Sequence, residues 1–177
     1  MGRLQHRTSK GCTYFVTTKT WENRAIFQAK DIAEILISCL TSYQEKDAFL
    51  LHEFVVMPNH LHLLLTPAAD PSLEKAMQLI KGGASHQIHK VQENNSPIWH
   101  SSVHESTIRD LFDFRNRRRY IHMNPVEAHL IEHAADWPYS SASGRFKLDP
   151  MPEYLSSGAK AHLIREVVNV GAKAPTP

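Results

Sequence analysis

Residues 48–66 constrain the fold of this chain more than any other stretch. Residues 48–57 (Ala-Phe-Leu-Leu-His-Glu-Phe-Val-Val-Met) are rich in aliphatic, aromatic and β-branched side chains and read as a strand too apolar to be exposed on both faces. Pro58-Asn59 marks a turn, and residues 60–66 (His-Leu-His-Leu-Leu-Leu-Thr) return as the partner strand. Successive strand side chains leave opposite faces, so Leu61, Leu63 and Leu65 share one face and His60, His62 and Leu64 the other. The leucine face has to be buried under other elements, and the opposite face carries two imidazoles.

The remaining elements arrange themselves around this pair. Residues 12–19 (Cys-Thr-Tyr-Phe-Val-Thr-Thr-Lys) read as a strand. Ile32, Ile35, Leu36, Cys39, Leu40 and Tyr43 recur at helical spacing, with Asp31 placed to cap. Ser72 opens a second helix reaching about residue 88, weakened in its middle by Gly82-Gly83, and residues 98–103 form a fourth strand. Strand, helix, strand, strand, helix, strand is the split βαβ or ferredoxin-like order, an α+β fold. Two helices then cover one face of a four-stranded antiparallel sheet and leave the other face available. A third helix is expected over residues 107–123, followed by one or two turns over 125–131 and an irregular course from 134. The chain reads as one domain with its core over about residues 12–143, and 144–177 as an extension carrying a short amphipathic piece.

Composition narrows the function classes. At 42% hydrophobic and 21% charged residues, 177 residues make an ordinary globular domain with a sizeable core. No apolar run approaches the ~20 residues of a membrane span, and the first residues lack the apolar core of a secretory signal. Cys12 and Cys39 have no Cys-x-x-Cys spacing, so neither a disulfide framework nor a zinc knuckle is indicated, and a reducing cytoplasm is expected. The formal charge of +2 says little by itself, but basic residues cluster. Arg115, Arg117, Arg118 and Arg119 crowd in before Tyr120, and Arg3, Arg7, Lys10, Lys19 and Arg24 occupy the start of the chain. Such clusters suit phosphate at particular places, or a solvated charged face.

Two segments could carry chemistry. His60 and His62, two apart on a strand, can converge on one metal ion, or they can be partly buried histidines satisfied by neighbours. In residues 115–125 (Arg-Asn-Arg-Arg-Arg-Tyr-Ile-His-Met-Asn-Pro), Asn116, Tyr120 and Asn124 fall on one helical stripe with Arg117 beside them. Ile108, Leu111, Phe112, Phe114 and Ile121 fall on the side expected to pack on the sheet. Asn124 precedes a proline and is expected to end the helix, with Tyr120 as nucleophile or as interface aromatic. A phenol has a pKa of about 10, so a tyrosine nucleophile needs nearby cations or a target polarised by metal. Two imidazoles and an amide oxygen suit Mn²⁺, and Mg²⁺ can bind while keeping waters. Trp99 and Trp137 are candidate stacking surfaces for unpaired bases. No Gly-rich phosphate loop is present, so nucleotide hydrolysis is not indicated.

These segments resemble the single-tyrosine HUH transposases, and among them the REP-associated tyrosine transposases of bacteria. The resemblance runs over residues 13–143 and is strongest in Val-Met-Pro-Asn-His-Leu-His-Leu-Leu (56–64) and Tyr-Ile-His-Met-Asn-Pro-Val (120–126). Tyr-Phe-Val-Thr-Thr (14–18), Gln-Leu-Ile-Lys-Gly (78–82), Trp99, Ile-Arg-Asp (108–110) and Asp-Trp-Pro-Tyr-Ser-Ser (136–141) add to it. It implies that His60, His62 and Asn124 ligate a divalent metal and that Tyr120 is the nucleophile. It also implies that Lys81 and Ser85 touch the DNA backbone, and that the substrate is single-stranded DNA beside a hairpin, joined to the protein as a 5′-phosphotyrosine. Relatives of this kind suggest a monomer, whereas other single-tyrosine transposases are dimers. The chain departs from the family after Asn-Pro-Val, where a basic residue, a small one and Gly give way to Glu127, Ala128 and His129. Two rival functions share the same residues: a domesticated binder of structured single-stranded DNA, and a metal-dependent phosphohydrolase. Position 64 is Leu, which counts against a nucleotide hydrolase of the histidine-triad type.

Overall fold

The apolar pair of the sequence forms two neighbouring strands of one sheet. The computed structural model describes residues 11–68 and 72–156. In chain order it contains β1 (Tyr14–Thr20), α1 (Lys30–Gln44), β2 (Phe49–Met57), β3 (His60–Pro67), α2 (Leu73–Gln92), β4 (Trp99–Thr107), α3 (Leu111–Glu127) and a one-turn α4 (Glu153–Ser156). The strands are antiparallel in the order β2-β3-β1-β4, the expected ferredoxin-like α+β arrangement. Among the described residues no helix is long and apolar enough to cross a membrane. The amphipathic piece expected after residue 157, and Arg3, Arg7 and Lys10, lie outside the described residues.

Strand alternation divides the core in two. Leu61, Leu63 and Leu65 of β3 join Val16, Phe54 and Val56 beneath Ile32, Leu36 and Leu40 of α1 and Ile80, Ala84 and Ile88 of α2. Phe15, Val55, Met57 and Leu64 face the other way and pack with Ile108, Phe114, Ile121 and Leu155. The second face is therefore only half available, because α3 lies across β2 and β3. Of the apolar residues expected beneath α3, Phe112 is 73% exposed, whereas Phe114 and Ile121 are buried. The outer edge of β2 is met by the chain beyond α3: Val56 N–H donates to Tyr139 O at 2.9 Å, and Val55 bridges Ser140.

Helix ends differ from expectation in instructive ways. Asp31 sits in the first turn of α1 while Ala29 is the cap position and makes no side-chain cap, so the carboxylate acts only on the positive end of the helix dipole. The fourth strand runs on to Thr107, and α3 starts later, capped by Asp110, whose carboxylate accepts from Asp113 N–H at 2.8 Å. Asn124 does not end α3, which continues through Pro125 to Glu127. Only one bond to the Ile121 carbonyl is forfeited so near the end, and Ala128 N–H still reaches Asn124 O at 3.0 Å. Asn124 thus stays helical, one turn beyond Tyr120.

The two glycines in α2 have different environments. A Cβ at Gly83 would lie 2.9 Å from the Tyr43 hydroxyl of α1, whereas one at Gly82 would meet nothing within 4 Å. Close approach of α1 to α2 therefore uses Gly83, and Gly82 carries only the entropic cost of glycine in a helix. Gly82→Ala should stabilise the fold by about 0.5–1 kcal/mol, and Gly83→Ala should gain less or lose stability because Tyr43 must shift. Urea unfolding of the two variants checks this; equal gains at both positions would refute the close-approach account.

Candidate active site

β3 delivers His60 and His62 to the face beneath α3, where β1 places Lys19 opposite His60 and Thr17 opposite His62. The His60 Nδ1 lies 2.7 Å from the Asn59 side-chain oxygen, an atom that can only accept, so Nδ1 carries the proton and Nε2 keeps its lone pair. The His62 Nδ1 lies 2.8 Å from the Thr17 hydroxyl. The Asn124 amide nitrogen is 3.4 Å from His62 Nε2, and its side chain also hydrogen-bonds His60. The two imidazole centroids are 4.7 Å apart with their planes at 78°. A 180° turn of the Asn124 amide would replace its nitrogen by a carbonyl oxygen, so two nitrogens and one oxygen could surround a small cation.

Tyr120 precedes Asn124 by one helical turn. Its ring is 5.1 Å from that of His62, edge-on, and the residue is 41% exposed. Phe15 stacks on His62 at 5.4 Å, meets Tyr120 edge-on at 5.8 Å, and has the Arg117 guanidinium 4.6 Å from its ring centre. A reachable phenol, the His62 imidazole and a guanidinium thus gather around one phenylalanine.

Burial favours the neutral form of both imidazoles. His62, only 4% exposed, is pushed down to about 3, first by burial and then by the His60 imidazole and the Arg117 and Lys19 charges. His60 is lowered by burial and, less, by Lys19, against the opposing effect of its hydrogen bond with Asn124. Neutral imidazole is the form that ligates. The competition between proton and metal that an ordinary histidine meets near pH ~6.5 is therefore displaced to lower pH.

The structure brings His60, His62, Tyr120, Asn124, Arg117 and Lys19 together. Arg115 and Arg119 are exposed on α3, whereas Arg118 turns back and pairs through Nε with Glu53 at 2.8 Å. Lys81 and Ser85 lie on α2, across the sheet from the histidines, beside a groove of about 530 Å³ lined also by Trp99, Ser101 and Val103. Arg24 donates to the Trp21 and Pro97 carbonyls at the turn after β1. Trp99 is 9% exposed and Trp137 half-buried, and their indole nitrogens donate to Lys81 O and Val56 O. Neither presents the free ring face expected of a stacking surface; Trp21, 39% exposed, is the most open tryptophan among the described residues.

Sequence reading missed Glu53. Its carboxylate accepts from Arg118, from His122 Nε2 at 2.7 Å and from the Ser141 hydroxyl at 2.6 Å. Burial raises its pKa, but the bonds from His122 and Ser141 and the His122 and Arg118 charges outweigh this and hold it below the ordinary value. The available signal was a carboxylate amid Leu-Leu-His and Phe-Val-Val, which can be buried only when paired.

An antiparallel sheet thus carries a histidine pair on one of its two central strands, facing a tyrosine on a packed helix. The profile of the IS200-like transposases matches residues 8–124, and the chain belongs to that family. It is 26% identical over 146 residues to a REP-associated tyrosine transposase of Escherichia coli (strain K12), covering 79% of this chain and 85% of that one. It is 28% identical over 163 residues to a proposed REP-associated tyrosine transposase of Haemophilus influenzae, covering 86% and 92%. The fold matches a solved REP-associated tyrosine transposase bound to a REP hairpin with a TM-score of 0.67 at 23% identity, covering 86% of this chain and 92% of that one.

The depressed His62 value has a measurable consequence. Below its ordinary pKa of 6.5 the unfolded chain takes up a proton that the folded chain refuses until about pH 3. Stability contributed by neutral His62 is thus complete above pH ~6.5 and declines as pH falls, by at most about 1.4 kcal/mol per unit. His62→Gln should flatten the fall in stability between about pH 6 and 4 by up to that slope, measured by urea unfolding at each pH. An unchanged slope would mean that the imidazole ionises normally in the folded protein.

Proposed function

We propose that this chain is a metal-dependent endonuclease and strand transferase acting on single-stranded DNA beside hairpin-forming repeats, with Tyr120 as nucleophile. The observation that carries the proposal is the placement of Tyr120 and Asn124 on successive turns of α3, both against the His60–His62 pair. The hairpin substrate is inferred from the relative whose structure is bound to a REP hairpin.

The residues fit a divalent ion. Among the described residues no three His, Cys, Asp or Glu side chains converge, so the donor set would be His60 Nε2, His62 Nε2 and the Asn124 amide oxygen. Two nitrogens and one oxygen favour Mn²⁺ over Mg²⁺, which prefers oxygen ligands and retained waters. A divalent ion bound there would polarise the scissile phosphate and offset its charge.

Each side chain then has a task. Thr17 and Asn59, by bonding the Nδ1 atoms, hold both imidazoles in place with Nε2 directed inward. Arg117, steadied over Phe15, supplies positive charge beside the phenol and the phosphate. The Tyr120 oxygen attacks phosphorus and loses its proton to solvent. A phosphorus–tyrosine oxygen bond forms, the bond to the 3′-oxygen breaks, and that oxygen takes up a proton to leave as a 3′-hydroxyl. Because one phosphodiester replaces another, the reverse step can rejoin strands without a nucleoside triphosphate.

A hairpin oligonucleotide with a single-stranded flank, incubated with the protein and Mn²⁺ or Mg²⁺, tests this. Wild type should give an adduct that survives denaturation. Tyr120→Phe should bind the oligonucleotide about equally and form none, and His60→Ala/His62→Ala should lose adduct at least about 100-fold. No adduct from wild type with any flanked hairpin would favour the binding-protein reading. Cleavage by Tyr120→Phe would make water the nucleophile.

A further inference from the structure

Among the described residues, α3 lies across β2 and β3 and leaves the β1–β4 half of the second sheet face uncovered. Phe15, Thr17 and Lys19 of β1 share that face with His60 and His62, because paired residues of antiparallel strands point the same way. On β4, Trp99 and Val103 pack with the core beneath α1 and α2, so His100, Ser102 and His104 leave by the opposite side. Thr17 pairs with His104, and the Ser102 hydroxyl lies 2.7 Å from His100 Nδ1. The uncovered surface is therefore polar, carries Lys19, and has no carboxylate from β1 or β4.

Trp21 stands at the end of this surface. Its ring stacks on His100 with centroids 6.3 Å apart and planes at 23°. Its backbone N–H donates to Ile98 O at 2.9 Å, and its carbonyl accepts from Arg24 N at 3.2 Å and Nε at 3.3 Å. Thr20 N–H and hydroxyl both reach Asn59 O, on the turn beside His60. The next residues, Glu22 and Asn23, hold left-handed φ of 55° and 54°, a conformation disfavoured for non-glycine residues and held here by these bonds. The backbone that carries this exposed indole is thus fixed, and the ring itself rests on His100. The run from Thr17, bonded to His62, to Thr20 covers about 10 Å at strand rise, a span that a few nucleotides cross.

We infer that the open β1–β4 face is the track of the unpaired DNA flank, and that the Trp21–His100 stack is the platform for one of its bases. Lys19 and Arg24 attract the backbone along it, and a π-face accepts any base. This rests on the single-stranded-DNA reading above and adds where the flank lies.

Binding of flanked hairpins to the full chain at one fixed salt concentration tests it. Probes are one intact oligonucleotide and a set with a single abasic position moved along the flank, bound to wild type, Trp21→Ala and Trp21→Phe. Trp21→Ala should weaken the intact probe roughly 10-fold, within the range for loss of one base stack, and Trp21→Phe should recover most of this. One abasic position should cost wild type a similar factor and cost Trp21→Ala nothing further. Full affinity in Trp21→Ala, or losses that multiply at every abasic position, would overturn the platform while leaving the DNA reading intact. A wild type that binds flanked hairpin no better than blunt duplex would overturn both.

Discussion

Glu53 determines how α3 lies on the sheet, and every distance around Tyr120 depends on that helix. Few apolar side chains of α3 reach the core, and arginines at 115, 118 and 119 share the arc of Phe114 and Ile121, so apolar packing alone leaves its rotation loosely set. The buried carboxylate supplies the missing constraint. It holds Arg118 and His122, two residues before and two after Tyr120, and also the Ser141 hydroxyl from the chain that edges β2. Arg118 remains half in solvent, so its ion pair contributes modestly. The larger effect is that an unpaired Glu53 would be costly beneath the helix, which favours the one rotation that supplies its partners. With Arg118 and His122 toward Glu53, Tyr120 and Asn124 come to His62.

The histidines complement this arrangement from the sheet side. Each Nδ1 has a partner and burial favours the neutral form of each ring, so the face turned toward Asn124 favours lone pairs over charge. Positive charge is supplied separately, by Arg117 above Phe15 and by Lys19 opposite His60. The departure after Asn-Pro-Val lies just beyond. His129 adopts a left-handed φ of 55°. A conformation that favours glycine is thus held by a histidine at a cost of order 1 kcal/mol, and exposed Glu127 puts an acidic side chain at the end of the same helix.

The strands and the first two helices were legible because their periodicities are clean: alternating leucines in β3, and Ile32 to Tyr43 in α1. His60 and His62 fell on one face by strand geometry alone. The pattern around α3 was less readable, since its burial is local and its fixing contact comes from Glu53, 65 positions before Arg118 in sequence. Rules for proline predicted that Asn124 would end the helix, but tertiary packing carried the helix one further turn and kept Asn124 opposite the histidines. The tryptophans show the same limit. Trp99, Trp137 and Trp21 look alike in sequence, and only the packing of β4 and of the 137–141 segment shows which ring is left open.

The proposed function requires that His60, His62 and Asn124 enclose a single cation site within reach of the Tyr120 hydroxyl. Anomalous diffraction from crystals soaked in Mn²⁺ measures this directly, with no need for DNA or turnover. The predicted result is one anomalous peak about 2.0–2.3 Å from Nε2 of both histidines, with the Asn124 oxygen turned toward it. A fully ordered site without such a peak at saturating Mn²⁺, or a peak bound by only one of the two imidazoles, would contradict it.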